Sequence, residues 1–148
     1  MTLIELLVVL AVLGVLLSTA VALTRPSHTQ RAAQALRSAI LWSRANAIWR
    51  GVSVSVTGTD DGFVVRAAES SAATCAGERV LTRVQLSDHP GVVVAAGLAR
   101  GLVWLPNGSG RSCDGGGVIS TTVRLSDGRR AVNVVVSSLG RVRLEAAP

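Results

Sequence analysis

The chain has 148 residues, room for one small folded domain and one membrane-length helix. Its fifteen basic residues are all arginine and are scattered; set against nine acidic residues they leave a net charge of +6, which favours an anionic partner only weakly. Aromatic residues make up 3%, too few for a base-stacking groove, and two histidines with two cysteines, none close in sequence, argue against a metal site.

The first 23 residues read MTLIELLVVLAVLGVLLSTAVAL, with Glu5 the single charge in an apolar run. From Leu3 to Leu23 this predicts a helix of 21 residues. At about 1.5 Å per residue such a helix is about 31 Å long, enough to cross a bilayer. A carboxylate at mid-membrane costs roughly 2.5–3.5 kcal/mol, so a chain that keeps one is expected to use it. The segment therefore reads as both anchor and assembly element. The alternative is a plain signal anchor whose glutamate snorkels to the interface, about one turn from the helix end.

After Thr24-Arg25-Pro26 comes SHTQRAAQALRSAILWSRANAIWRG. Ala33, Leu36, Ile40, Ala47 and Ile48, with Leu41 and Trp49 at the margin, fall near one helical stripe; Arg31, Arg37, Arg44 and Arg50 sit mostly off it. Gly51 is the expected stop. The spacing predicts a helix of about 45 residues in all, apolar in its first half and amphipathic in its second, kinked near Gly14 and Pro26 or restarted at Pro26.

From Val52 the period changes to two. VSVSV, a TGTDDG turn and FVVRAAE read as a hairpin. RVLTRVQL, a turn SDHPG, VVVAA and LVWLP follow, then a Gly/Ser loop over residues 107–117. VISTTVRLS, a turn DGR, AVNVVVSS and RVRLEA close the chain. Short strands joined by Gly/Asp turns make antiparallel sheets, and packing the helix stripe on them predicts an α+β domain. The expected organisation is a transmembrane and assembly helix over residues 1–25, its amphipathic continuation over 26–50, and a β-rich head over 51–148.

Cys75 and Cys113 both lie in Gly/Ser/Ala-rich loop stretches. Loop cysteines beyond a membrane helix point to an oxidising compartment and a disulfide; two free thiols are the alternative. Closing a loop of about 39 residues would add on the order of 4 kcal/mol in the chain-entropy view.

Met1-Thr2-Leu3-Ile4-Glu5-Leu6 and the apolar run behind it resemble the N-terminus of mature type IV pilins and type II secretion pseudopilins. In that class a prepilin peptidase removes a short leader ending in Gly and methylates the new N-terminus. The match to this register implies that Met1 is the processed and methylated residue, so that the sequence is either already mature or starts inside a precursor. It also implies that Glu5 pairs with the N-terminal amine of Met1 in a neighbouring subunit. A single buried charge among packed apolar helices makes the axial offset unique, because leaving it unpaired costs several kcal/mol.

LVWLPNG at residues 102–108, with Ser138-Leu139-Gly140-Arg141-Val142-Arg143 in the last hairpin, resembles the GspH/FimT family. The resemblance implies a long N-terminal helix packed on small antiparallel sheets and a minor subunit at or near a filament tip. Its members serve type II secretion as pseudopilins or type IV pili as minor pilins. FimT-like members bind DNA during natural transformation through a Gly-Arg-x-Arg motif, which Gly140-Arg141-Val142-Arg143 fits. Residues i and i+2 of a strand share a side, so Arg141 and Arg143 would offer two guanidiniums about 7 Å apart, near the phosphate spacing of a DNA strand. Arg129 and Arg130, in the preceding turn, are candidates to enlarge the patch. Edge charges that keep a strand soluble are the competing account.

No catalytic constellation is visible: His28 and His89 have no partner pattern, Gly115-Gly116-Gly117 lacks the context of a phosphate loop, and Asp60-Asp61 fall short of a calcium site. Trp42, Trp49 and Trp104 are expected in the core or between helix and sheet. The reading is a non-enzymatic subunit without cofactor, held in the bacterial inner membrane with its head in the periplasm. Its expected partners are other pilins or pseudopilins, prepilin peptidase during maturation, the inner membrane before assembly and, in the DNA-binding alternative, double-stranded DNA. A non-polymerising anchored domain is the remaining alternative.

Overall fold

The computed structural model describes residues 3–23, 27–68, 75, 77, 79–98, 101–113, 117, 119–137 and 139–147. The helical region is divided into α1 (Leu3–Leu23) and α2 (His28–Arg50). Ser27 is extended, and its hydroxyl accepts the amide of Gln30, so α2 begins with its own N-cap rather than continuing α1. The expected kink at Pro26 lies outside the described residues. The side chains described in α1 are those of residues 3–16, about 21 Å of helix, and among the described residues no helix is long and apolar enough to cross a membrane.

Among the described residues, nine strands form two antiparallel sheets. Sheet 1 has the order β3 (Arg79–Gln85), β2 (Gly62–Ala67), β1 (Val54–Thr59), β5 (Leu102–Trp104), β6 (Gly110–Ser112). Sheet 2 has the order β4 (Val93–Ala96), β7 (Thr121–Ser126), β8 (Ala131–Val136), β9 (Val142–Ala147). The α+β class is as expected, with α2 packed on both sheets. The β1–β2 turn is tighter than TGTDDG suggests: Thr59 pairs with Gly62 and only Asp60-Asp61 turn. β6 was not legible, because its Gly and Ser look like loop; it forms because Leu102, Val103 and Trp104 offer an edge for residues 110–112 to pair with.

The core lies between α2 and the sheets. Leu36 and Ile40 share one buried cluster with Val54, Val56, Phe63, Val65, Leu102 and Trp104 of sheet 1 and Val123, Leu125, Val134 and Val136 of sheet 2. The buried stripe of α2 is Thr29, Ala32, Ala33, Leu36, Ala39, Ile40, Ser43 and Ala47. Small residues at Ala32, Ala39 and Ser43 let the backbone approach the sheets, and they displace the stripe from the expected one. Ile48 is consequently half-exposed and Trp49 is 89% exposed, so neither belongs to the core; Trp42 is also half-exposed, and Trp104 alone of the three tryptophans is fully buried.

The outer face of sheet 1 is also covered. Ser53, Ser55 and Val103 are buried on the side away from α2. Cys75 is disulfide-bonded to Cys113, just after β6, with a Cα–Cα distance of 5.5 Å, and the Cys75 carbonyl accepts the Ser55 hydroxyl at 3.3 Å. A Cβ on Gly101 would lie 2.5 Å from the Cys113 sulfur, so the bridge is seated against backbone.

Candidate functional site

Two regions carry the sequence-predicted site residues. The first is α1. Glu5 sits in its first turn, where the positive end of the helix dipole favours a carboxylate. Around it Leu3, Ile4, Leu6, Leu7 and Val8 are 53–79% exposed, and every residue from 3 to 16 is exposed. A helix apolar on all sides gains stability only when lipid or other helices cover it. Met1, the expected processing and pairing residue, lies outside the described residues.

The second region is the last hairpin. Arg141 precedes β9 and Arg143 stands within it, opposite Val135; both are exposed, and Val142 between them is buried. The two guanidinium-bearing side chains thus leave the same side of sheet 2. A short turn fixes Arg141: its carbonyl accepts the Ser137 amide at 2.9 Å, and its amide donates to the Ser137 hydroxyl at 3.1 Å. Arg129 and Arg130 are not brought to this pair. They occupy the β7–β8 turn, at the end of the sheet where Ala131 pairs with Ala147, four residues along β9 from Arg143 and about 13 Å away at strand rise.

That β7–β8 turn is built around Asp127. Its carboxylate accepts the backbone amides of Arg130 at 2.7 Å and Arg129 at 2.9 Å, and the hydroxyl of the buried Thr29 on α2 at 2.8 Å. The Arg130 amide, then the Thr29 hydroxyl and the Arg129 amide, hold the Asp127 pKa down at about 2. The turn is thereby tied to the first turn of α2.

Arg44 is a residue whose role sequence reasoning missed. Its guanidinium lies 5.7 Å from the centre of the Trp104 ring, and its Nε donates to the Gly108 carbonyl at 3.1 Å. A Cβ on Gly140 would fall 2.7 Å from Arg44 Cζ, and both Gly108 and Gly140 have φ +78°. The LVWLPNG segment and the Leu139-Gly140 turn, distant in sequence, therefore meet on one arginine of α2. The signal was its spacing: Arg44 follows Leu36 and Ile40 at intervals of four, which puts it at the margin of the buried stripe.

Cys75 and Cys113 are paired, as one reading of their loops had it. Among the described residues no group of His, Cys, Asp or Glu is placed to hold a metal ion.

A helix packed on two antiparallel sheets, preceded by a separate apolar helix with one carboxylate, is a pilin-like fold. Residues 32–140, well over half of the chain, match the family described as type II transport protein GspH. The chain belongs to that family. The matched region contains α2 from Ala32 onward, with Arg44, Gly108 and Gly140. No curated protein and no solved structure matches the chain.

Proposed function

We propose that the chain is a minor pseudopilin or minor pilin that joins a type II secretion or type IV pilus filament through α1 and acts at its initiation or tip. It is anchored in the bacterial inner membrane, with the head in the periplasm, and works by protein contact rather than catalysis. Family membership supports the secretion role. The observation that carries the reading is α1 itself: exposed apolar side chains on all sides, and Glu5 in the first turn. Before assembly lipid covers that surface; afterwards neighbouring helices do, and Glu5 selects the offset by meeting the methylated amine of Met1 on the next subunit. Prepilin peptidase generates that amine.

Glu5→Ala is expected to leave membrane insertion intact while lowering incorporation into filaments at least tenfold, read by shearing filaments from cells and blotting. The replacement removes about 1.4 kcal/mol or more of register energy, a factor of ten. Normal incorporation would favour an anchored domain that never polymerises.

A second reading, a DNA-binding tip subunit, draws on the shared exposure of Arg141 and Arg143 either side of buried Val142. If both clamp phosphates, Arg141→Ala/Arg143→Ala should flatten the slope of log affinity against log salt by about 2 in a gel-shift titration. An unchanged slope removes this reading. The motif's glycine carries no weight in its favour, since Gly140 is required where it stands by Arg44 and its positive φ.

A further inference from the structure

The end of sheet 2 opposite Arg141 and Arg143 carries a second basic surface. A cleft of 610 Å³ opens between the start of α2 and the β7–β8 turn, lined among others by Ser27, Gln30, Arg124, Arg129, Arg130 and Glu145. Three arginines face one lining carboxylate. Asp127, at the same end, keeps its negative charge but turns its carboxylate to two backbone amides and the Thr29 hydroxyl, so the arginines exceed the carboxylates here by one charge. The N-terminus of α2 adds its positive dipole end. An anion is the ligand such a lining selects, and planar guanidiniums suit a phosphate.

The position of the cleft selects the source of that phosphate. Ser27 lines it, and Ser27 is four residues from Leu23, the last residue of α1. Four residues of chain reach at most about 14 Å. However the head is turned, the Ser27 edge of the cleft stays within that distance of the end of the apolar helix. With α1 in a bilayer, that reach spans the headgroup layer, roughly 5–7 Å thick on each side, and brings the near edge of the cleft to the headgroups. Arg141 and Arg143 stand at the far end of the same strands.

We propose that this cleft binds the phosphate of an anionic phospholipid headgroup and holds the head on the membrane surface before the subunit leaves for the filament. The inference rests on the membrane-anchored reading above. Each arginine near an anionic surface shifts such an equilibrium by about fivefold. Leaving the bilayer then requires release of the lipid, so the cleft biases the subunit toward the membrane until a filament captures it.

The test uses the full chain reconstituted into nanodiscs of phosphatidylcholine alone or with one-third phosphatidylglycerol. Hydrogen exchange is followed at the amides of residues 128–131. Phosphatidylglycerol should slow exchange there at least threefold, and about 0.5 M salt should abolish the effect. Arg129→Gln/Arg130→Gln should lose the slowing; its fold is kept because Asp127 uses backbone amides. Arg141→Gln/Arg143→Gln should retain it. Equal exchange in the two lipids, or equal slowing in Arg129→Gln/Arg130→Gln, overturns the proposal. So does protection by inorganic phosphate in phosphatidylcholine discs, which would make the ligand a free anion, or protection by a DNA duplex but not by phosphatidylglycerol. Insertion is scored separately by resistance to carbonate extraction. A chain that fails to insert overturns the anchored reading and this proposal together; one that inserts without a lipid effect overturns this proposal alone.

Discussion

Arg44 shows how one side chain sets the requirements of two loops. It gives a charge-assisted bond to the Gly108 carbonyl and a ring contact to Trp104, and it fills the space above Gly140. Arg44→Ala should cost about 2–4 kcal/mol, the sum of a bond to a charged donor and a half-buried cation–π contact. Gly140→Ala should cost more than about 2 kcal/mol, because it adds a positive-φ penalty to an overlap with the guanidinium. The overlap vanishes when Arg44 is already alanine, so in that background Gly140→Ala should cost only the φ penalty of about 1–2 kcal/mol. Urea unfolding of the four proteins of this cycle measures the difference; strictly additive costs would show that Arg44 and Gly140 do not interact. Little of this arrangement was legible in the sequence. Gly108 and Gly140 stood out as recurring family features, but nothing in their local pattern names the residue that closes on them from 64 residues away in the case of Gly108.

Elements were more legible where the pattern is local. The β1–β2, β7–β8 and β8–β9 hairpins follow from alternation and turn residues, and α2 ends at Gly51 as its sequence suggests. The start of α2, the face it buries and β6 depend on tertiary partners, and there the sequence misled: Ile48 and Trp49 look apolar enough for the core, yet alanines give the closer approach. The Thr29–Asp127 bond joins two such elements, and it is sensitive to pH. Asp127 has a folded pKa of about 2 against an ordinary 3.8. A depressed carboxylate stabilises the fold fully above its unfolded pKa, and that contribution is lost as pH falls from about 3.8 through about 2. The melting temperature should therefore fall more steeply between pH 4 and pH 2 in the natural chain than in Asp127→Asn. Parallel curves for the two proteins would remove the link between the turn and α2 as a source of acid sensitivity.

At the scale of the molecule, the described core is shared between α2 and the two sheets, and no described α1 side chain belongs to it. α2 and the β-rich head, about 120 residues together, have a modest core, and small domains in oxidising compartments commonly need a covalent staple. Here the bridge does two things. It closes a loop with a sequence separation of 38, which in the chain-entropy view is worth on the order of 4 kcal/mol. It also fastens Cys75 at the outer face of sheet 1, where Ser53, Ser55 and Val103 are buried and the Ser55 hydroxyl has the Cys75 carbonyl as its acceptor. The VSVSV alternation alone does not show this cover, because the carbonyl that meets Ser55 belongs to Cys75, 20 residues on. Cys75→Ser/Cys113→Ser should thus lower unfolding free energy by about 3–5 kcal/mol and speed hydrogen exchange in β1 and β5 more than in β7–β9, since only sheet 1 loses its cover. Uniform acceleration across both sheets would mean that the bridge acts on the unfolded chain alone. Acceleration confined to sheet 1 would show that the staple protects this face in the folded head, and an unchanged stability would show that the head needs neither contribution.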